Sequence, residues 1–248
     1  PMFRPLANFF FKRLKKWDKT TIDNVDLYIA NSINVAKRVK KFYNRDAKVV
    51  YPPIETRLFK KSLNFNAGKD FFLSFGAITP YKNVNLLVDC FNENGEKLII
   101  IGNGSEKEKL ARKANKNIEF KGFLEESELE YYIQRSKALI FPGEEDFGMI
   151  PLEVMSYGIP VIAFKKGGAL ETVIENKEKI NESSGIFFEE QNILSLQMAL
   201  SFFKEREKDF NPEWIRSHAE KFKEDNFLYN FNVVIKKLLQ KNWKKDTL

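Results

Sequence analysis

The segment from residue 138 to residue 168 constrains the fold more than any other part of this chain. Its apolar runs ALIFP, at 138–142, and PVIAF, at 160–164, predict two buried strands, and the residues between them predict a helix over 150–157. A strand–helix–strand unit of this kind joins two parallel strands of one sheet. The polar residues before the helix would then lie at the carboxyl end of a strand, where open α/β sheets bind their ligands.

The same alternation of apolar runs and amphipathic stripes continues upstream. It predicts strands over 71–76, 97–102 and 118–123, separated by helices that contain residues 84–91, 106–114 and 129–133. On the second of these helices, Leu110, Ala111 and Ala114 are expected to face the core. Short strands that alternate with helices predict an α/β fold with a doubly wound parallel sheet.

Two carboxylates and one lysine are the polar candidates for a site. Glu145 lies in the turn before the 150–157 helix, Glu153 lies in its first turns, and Lys82 follows the 71–76 strand. Carboxylates accept hydrogen bonds from sugar hydroxyls, whereas lysine and glycine N–H groups bind phosphate. Together they indicate a ligand with sugars at both ends and phosphate between. The alternative is that both glutamates are ordinary helix-start carboxylates, which the helix dipole favours.

Several strings of the sequence, in the same order, resemble one known family. They resemble the E-x7-E region of the family 4 retaining glycosyltransferases, in particular the mannosyltransferases of O-antigen and capsule assembly. These enzymes have the GT-B fold of two Rossmann-like domains. The resemblance covers about residues 25–222 and is carried by DLYIANS at 26–32, VVYPPIE at 49–55, SFGAITPYKNVNLLVDCF at 74–91, FPGEEDFG at 141–148, PLEVMSYG at 151–158 and GGALETV at 167–173.

The resemblance implies a role for each polar candidate. Lys82 would bind the diphosphate of a nucleotide diphosphosugar, and Glu145 would bind the hexose and favour positive charge at its anomeric carbon. Glu153 would accept hydrogen bonds from the ribose. Relatives often have an arginine at the position of Ala77 or of Asn83, so the grip on phosphate would rest more on Lys82 and on backbone N–H groups. The sequence has no Asp-x-Asp triplet, and we expect neither a metal nor another cofactor.

Further donor contacts are implied at strand ends and around the start of the 150–157 helix. Phe147 would shape the sugar pocket, although a core position is the alternative for this ring. Gly148, Met149 and Ile150 would offer backbone N–H groups to the distal phosphate or the sugar. The remaining substrate-binding candidates are Gly76, Gly102, Gly104, Gly122, Phe123 and Pro142.

The resemblance also predicts the domain organisation. Residues 1–60 would be a remnant of an N-terminal acceptor domain, 61–211 the nucleotide-sugar-binding domain, and 212–248 a helix that crosses back. We expect such a fragment to bind donor with little transfer of its own, and to self-associate through its uncovered apolar face. The donor would be GDP-mannose first and a UDP-sugar second, and the acceptor a lipid-linked or free oligosaccharide. The alternative function is a nucleotide-sugar-binding module that does not catalyse.

Net charge and composition indicate where in the cell the protein is expected and what its surface contacts. The net charge is +7, with lysines concentrated near both ends. A lipid or phosphorylated acceptor explains this better than nucleic acid, for which no motif is present, and a basic surface that is simply solvated is an equal alternative. The basic, aromatic segment at 3–22 predicts a helix packed in a larger domain, with a membrane-interface helix as the alternative. Cys90 is expected in the core, and a single cysteine fits a reducing compartment. We expect a cytoplasmic protein, with peripheral contact at the inner face of the plasma membrane as an option.

Overall fold

The computed structural model describes residues 4–60 and 68–246, and the chain divides into two compact units. The first unit comprises Pro1–Tyr51 and Tyr229–Leu248, and the second comprises Pro52–Leu228. The first residues of the predicted nucleotide-sugar-binding domain, 61–67, lie outside the described residues. The assignment of 1–60 to an acceptor domain stays a prediction.

The second unit is built on a parallel sheet, and this confirms the α/β class and the parallel strands expected from the sequence. Among the described residues the sheet has six strands in the order β5-β4-β3-β6-β7-β8, and every neighbouring pair is parallel. The strands are β3 (Phe71–Phe75), β4 (Leu98–Ile101), β5 (Ile118–Phe120), β6 (Ser136–Phe141), β7 (Val161–Phe164) and β8 (Gly185–Phe188).

The helices of this unit follow the strands along the chain. The predicted stripe of the first of them is buried as expected, since Val84, Leu87, Val88 and Phe91 are all buried. The prediction for Ala111 was wrong, because this residue is exposed and only Leu110 of that helix is fully buried. The helices are α3 (Val84–Asn94), α4 (Lys107–Lys113), α5 (Glu126–Arg135), α6 (Met149–Met155), α7 (Ala169–Thr172), α8 (Ile193–Arg206) and α9 (Pro212–Ala219), and α10 (Glu224–Asp246) continues into the first unit.

Aromatic rings and buried strands form the core of the second unit. Phe72 on β3 packs edge-to-face against Phe91 on α3 and Phe203 on α8, with ring centroids 5.6 and 5.9 Å apart. Cys90 is fully buried as expected, and burial raises the pKa of its thiol to about 12. A thiol in this state is a poor nucleophile, so Cys90 acts as a core side chain.

The outer edge of β8 is closed by the protein itself. The three backbone N–H groups that point away from β7 belong to Gly185, Phe187 and Glu189. They donate to the Ile174 carbonyl, to a carboxylate oxygen of Glu175 and to the Ser195 hydroxyl. These donors are therefore satisfied within the chain.

Among its described residues, the first unit has two short strands, both in its N-terminal part. Strands β1 (Tyr28–Ala30) and β2 (Ala47–Val49) pair in parallel, and β2 ends before Pro52 and Pro53, which have no backbone N–H group to extend the ladder. Helices α1 (Arg4–Thr20) and α2 (Ile33–Tyr43) complete its N-terminal part. The Ser32 hydroxyl caps α2 by accepting a 3.0 Å hydrogen bond from the Val35 N–H group.

The two units differ sharply in charge. The first unit carries 17 lysines and arginines against 5 aspartates and glutamates, a net charge of +12. The second carries 24 against 29, a net charge of −5. None of the described helices is both long enough and apolar enough to cross a membrane.

Candidate functional site

The candidate site lies where the sheet changes direction. From β3 the chain first builds outward through β4 and β5, and it then returns to place β6 on the other side of β3. The loops that follow β3 and β6 therefore diverge and leave a crevice at the carboxyl ends of these two strands. Ligands of open α/β sheets bind at such switch points.

Lys82 and Glu145 meet in this crevice. Lys82 ends a single 3₁₀ turn, Pro80–Lys82, after β3, and Glu145 lies in the loop after β6. Their side chains form an ion pair and are mostly shielded, with 18% and 21% of their surfaces exposed. A small cavity beside the pair is also lined by Gly76 and Pro142. The structure thus brings four of the predicted site residues together.

Glu153 has a different environment on α6. Burial, and to a smaller extent the nearby Glu55 carboxylate, raises the pKa of Glu153. Among the described residues no hydrogen bond or ion pair holds this carboxylate. A half-buried carboxylate without a partner is costly to the fold, and bound hydroxyl groups would satisfy it.

Glycines let the loops after β3 and β4 approach each other closely. Gly102 has φ +139°, and a Cβ atom there would lie 1.9 Å from the Gly76 carbonyl oxygen. A Cβ atom on Gly104 would lie 2.2 Å from the Ile78 carbonyl oxygen. Gly122 likewise has no side chain, and its carbonyl accepts a 2.9 Å hydrogen bond from the Gly102 N–H group. These residues shape the backbone of the crevice, and their predicted contacts with a donor stay predictions.

The two aromatic candidates lie in contrasting places. Phe123 follows β5 and is 77% exposed, so its ring faces solvent. Phe147 is buried, and its ring centroid lies 5.8 Å from that of Phe222. The Phe222 ring in turn meets His218, whose imidazole is buried and whose pKa is lowered by that burial. Phe147 therefore anchors the loop to the core, and its predicted role in a sugar pocket stays a prediction.

The start of α6 carries the other three candidates. Gly148 has φ +91° and precedes the helix, which begins at Met149, one residue earlier than predicted. The Ile150 side chain reaches the β3 loop, since its Cδ1 atom would lie 3.1 Å from a Cβ atom on Gly76. The first turn of α6 is thus held against the crevice, with its N–H groups at the helix end that carries partial positive charge.

A second glycine turn supports the loop from behind. The Gly168 N–H group donates a 2.7 Å hydrogen bond to the Glu145 carbonyl. A Cβ atom on Gly168 would lie 2.2 Å from the Phe147 Cα atom. Lys166 in the same turn forms a 3.2 Å ion pair with Glu144. The turn at Gly168 therefore positions the loop that carries Glu145.

Several residues at the site escaped the sequence analysis. Lys107 on α4 donates a 2.8 Å hydrogen bond to the Asn103 side chain and lies against Gly122. Glu55 lies near enough to Glu153 to raise its pKa. The sequence signal for Lys107 was its place at the start of a helix after a glycine turn, whereas nothing local pointed to Glu55. The described residues contain no group of three or more side chains that could hold a metal ion.

Comparisons with known proteins fit this geometry. The family model for glycosyl transferases group 1 matches residues 55–222. The Kluyveromyces lactis alpha-1,3/1,6-mannosyltransferase ALG2 is 30% identical over 216 residues, and the match covers 65% of this chain and 42% of that protein. The chain thus spans less than half the length of this relative.

Solved structures share the fold. Sucrose-phosphate synthase from Thermosynechococcus elongatus superposes with a TM-score of 0.76 at 17% identity, over 93% of this chain and 62% of the other. Anabaena HepE in complex with UDP gives 0.71 at 19% identity, over 87% and 64%. The parallel sheet is that of the Rossmann-like domains of GT-B glycosyltransferases. Because the family model covers more than half of its residues, this chain belongs to the group 1 glycosyltransferases.

Proposed function

We propose that this chain forms the donor-binding part of a retaining, metal-independent hexosyltransferase. The observation that carries the proposal is the shielded pair of Lys82 and Glu145 at the switch point between β3 and β6. A phosphate-binding cation and a hydroxyl-binding carboxylate at one crevice match the two ends of a sugar diphosphate. Glu153, half-buried and without a side-chain partner among the described residues, is the acceptor for ribose hydroxyls.

The proposed reaction transfers the hexose without inverting its anomeric carbon. The bond between the anomeric carbon and the diphosphate oxygen breaks while the acceptor hydroxyl forms a new bond on the same face, and the hydroxyl proton passes to the diphosphate. Lys82 and the N–H groups at the start of α6 stabilise negative charge on the leaving diphosphate. Glu145 binds sugar hydroxyls and favours the positive charge that develops on the sugar.

The similarity to ALG2 mannosyltransferases supports mannose as the sugar, with GDP-mannose as the first donor to test. UDP-sugars are second, since the HepE structure contains UDP. A lipid-linked or free oligosaccharide is the proposed acceptor.

The second candidate function is a nucleotide-sugar-binding module without catalysis. Such a module would bind a nucleotide sugar without transferring its hexose.

The Glu153→Gln variant separates a binding role from a structural one. Because the folded state raises the pKa of Glu153, the ionised carboxylate destabilises the fold at pH values above its ordinary pKa of 4.5. We therefore expect the variant to melt higher at pH 7.5, by about 2 °C, with the gain vanishing as pH is lowered toward 4.5. We expect its affinity for the preferred nucleotide to fall about tenfold.

Calorimetric titration with GDP-mannose, GDP, UDP-glucose and UDP, without added metal, measures the nucleotide affinity of this variant and of the unmodified chain. Glu178→Gln, an exposed carboxylate of the same unit, is the matched control and should change neither property. Higher stability with unchanged affinity would contradict the ribose role. No saturable binding of any of these nucleotides would overturn the proposed function.

We also propose that the first unit contacts an anionic membrane surface, which would place the protein in the cytoplasm against the inner face of the plasma membrane. Phe9, Phe10, Phe11, Leu14 and Trp17 on α1 are each more than half exposed. Basic residues alternate with them, and Lys15, Lys19 and Arg38 line a groove between α1 and α2. Exposed aromatic rings among lysines, in a unit of net charge +12, fit an anionic lipid interface.

Vesicle flotation tests this contact. We expect the chain to bind vesicles of phosphatidylcholine with phosphatidylglycerol and not vesicles of phosphatidylcholine alone. Replacing Lys15 and Lys16 together by glutamate should weaken binding by at least about tenfold, since each cation near the surface contributes about 1 kcal/mol. Lys179→Glu, an exposed change in the other unit, is the control. Equal binding to both vesicle types, or self-association of the chain in place of vesicle binding, would contradict the proposal.

A further inference from the structure

The ion pair between Lys82 and Glu145 occupies the position that the proposed diphosphate would take. The Lys82 ammonium group has an anionic partner in Glu145, and the cavity lined by both side chains lies at the same place. Because both groups are largely shielded from water, their attraction is stronger than that of an exposed pair. A diphosphate that binds Lys82 must therefore compete with Glu145.

This competition affects two ligands differently. A nucleoside diphosphate that takes Lys82 leaves the Glu145 carboxylate without its cation and close to phosphate charge. A complete nucleotide sugar brings hydroxyl groups that donate hydrogen bonds to the same carboxylate and replace the lost partner. The energetic cost of separating the ion pair is therefore offset when the nucleotide sugar binds. It is not offset when the diphosphate product binds.

We propose that Glu145, through its ion pair with Lys82, is a specificity-determining residue that makes the site prefer the nucleotide sugar over the nucleoside diphosphate product. The proposal rests on the proposed function of the site. It adds a role for Glu145 after the transfer step, because re-formation of the ion pair displaces the diphosphate from Lys82. Binding energy that falls when the sugar leaves favours product release.

The neighbouring carboxylate offers a matched control. Glu144 lies one residue before Glu145 and pairs with Lys166 at 3.2 Å, but its side chain is 46% exposed and does not line the cavity. Glu144→Gln and Glu145→Gln remove the same charge from the same loop. A difference between the two variants therefore reports the Lys82 pair rather than the net charge of the loop.

The experiment is calorimetric titration of the 248-residue chain and both variants with GDP, GDP-mannose, UDP and UDP-glucose. We expect Glu145→Gln to bind the nucleoside diphosphate about fivefold more tightly than the unmodified chain, because Lys82 is released. Its affinity for the nucleotide sugar should stay level or fall, so the preference for the nucleotide sugar shrinks. Glu144→Gln should keep the original preference. Thermal unfolding of each variant shows whether it is folded under the conditions of the titration.

Two outcomes would overturn the inference, and they are distinguishable. If the unmodified chain binds both ligands and Glu145→Gln leaves the affinity for the diphosphate within twofold of the original, then Glu145 does not compete for Lys82 although the donor site stands. If the unmodified chain binds none of the four nucleotides, the proposed function is wrong and this inference falls with it. Glu145→Asp, which keeps the charge and shortens the reach toward Lys82, should give an intermediate preference.

Discussion

Replacing Gly168 by alanine is expected to lower the free energy of unfolding of the second unit by about 3 kcal/mol. The added Cβ atom would lie 2.2 Å from the Phe147 Cα atom and 2.4 Å from its carbonyl oxygen. Gly168 has φ −69°, which alanine adopts freely, so the effect isolates the steric clash. Backbone cannot yield as the end of a flexible side chain would, and the loop that carries Glu145 must move.

Urea unfolding followed by circular dichroism measures this loss. Gly68→Ala is the control, because a Cβ atom there would meet only the Asp70 carboxylate oxygens, at 4.0 Å. We expect that variant to unfold within about 0.5 kcal/mol of the original chain. A Gly168→Ala protein with unchanged stability and unchanged nucleotide binding would show that the turn does not hold the loop.

Replacing Lys82 by alanine is expected to weaken binding of the preferred nucleotide diphosphate about 10- to 100-fold. Hydrogen bonds to charged groups contribute about 1.5–3 kcal/mol, and the crevice shields this one from water. The variant also leaves Glu145 without its cation, which adds repulsion against phosphate. Titration with GDP and UDP, beside their sugar conjugates, gives the affinities.

Lys166→Ala is the control for Lys82→Ala. Lys166 forms its ion pair with Glu144 in the neighbouring turn, and its side chain is 60% exposed. We expect this variant to keep the original affinity at physiological ionic strength, where exposed charges are screened. Equal losses in both variants would mean that general positive charge, and not the lysine of the crevice, attracts the diphosphate.

Five of the six strands described in the sheet could be predicted, in their order along the chain, because their signal is local, whereas β8 was missed. Runs such as KLIIIG have no polar face, which is typical of parallel strands buried on both sides, and β4 is fully buried. The side of a helix on which a small residue lies was less predictable. Ala111 follows the buried Leu110 and yet faces solvent, because alanine is small enough to tolerate either environment and so carries little information about its direction.

The contacts between the site residues were harder to predict than the residues themselves. Lys82 and Glu145 were each identified as candidates from the sequence, but their ion pair joins residues that are 63 positions apart in the chain. The approach of Glu55 to Glu153 likewise depends on the path of the chain rather than on local sequence. Phe147 was left between two environments because an aromatic residue in a loop suits both, and its contact with Phe222 joins residues that are far apart in the chain.

The closed edge of β8 has a consequence for how molecules of this protein meet. An open strand edge is a template on which a second chain can add a strand, and such edge-to-edge growth is a common route to aggregation. Here the outward N–H groups of Gly185, Phe187 and Glu189 are already bound by the chain's own carbonyl, carboxylate and hydroxyl oxygens. This side of the sheet therefore offers no free donors for strand exchange, even in a concentrated solution.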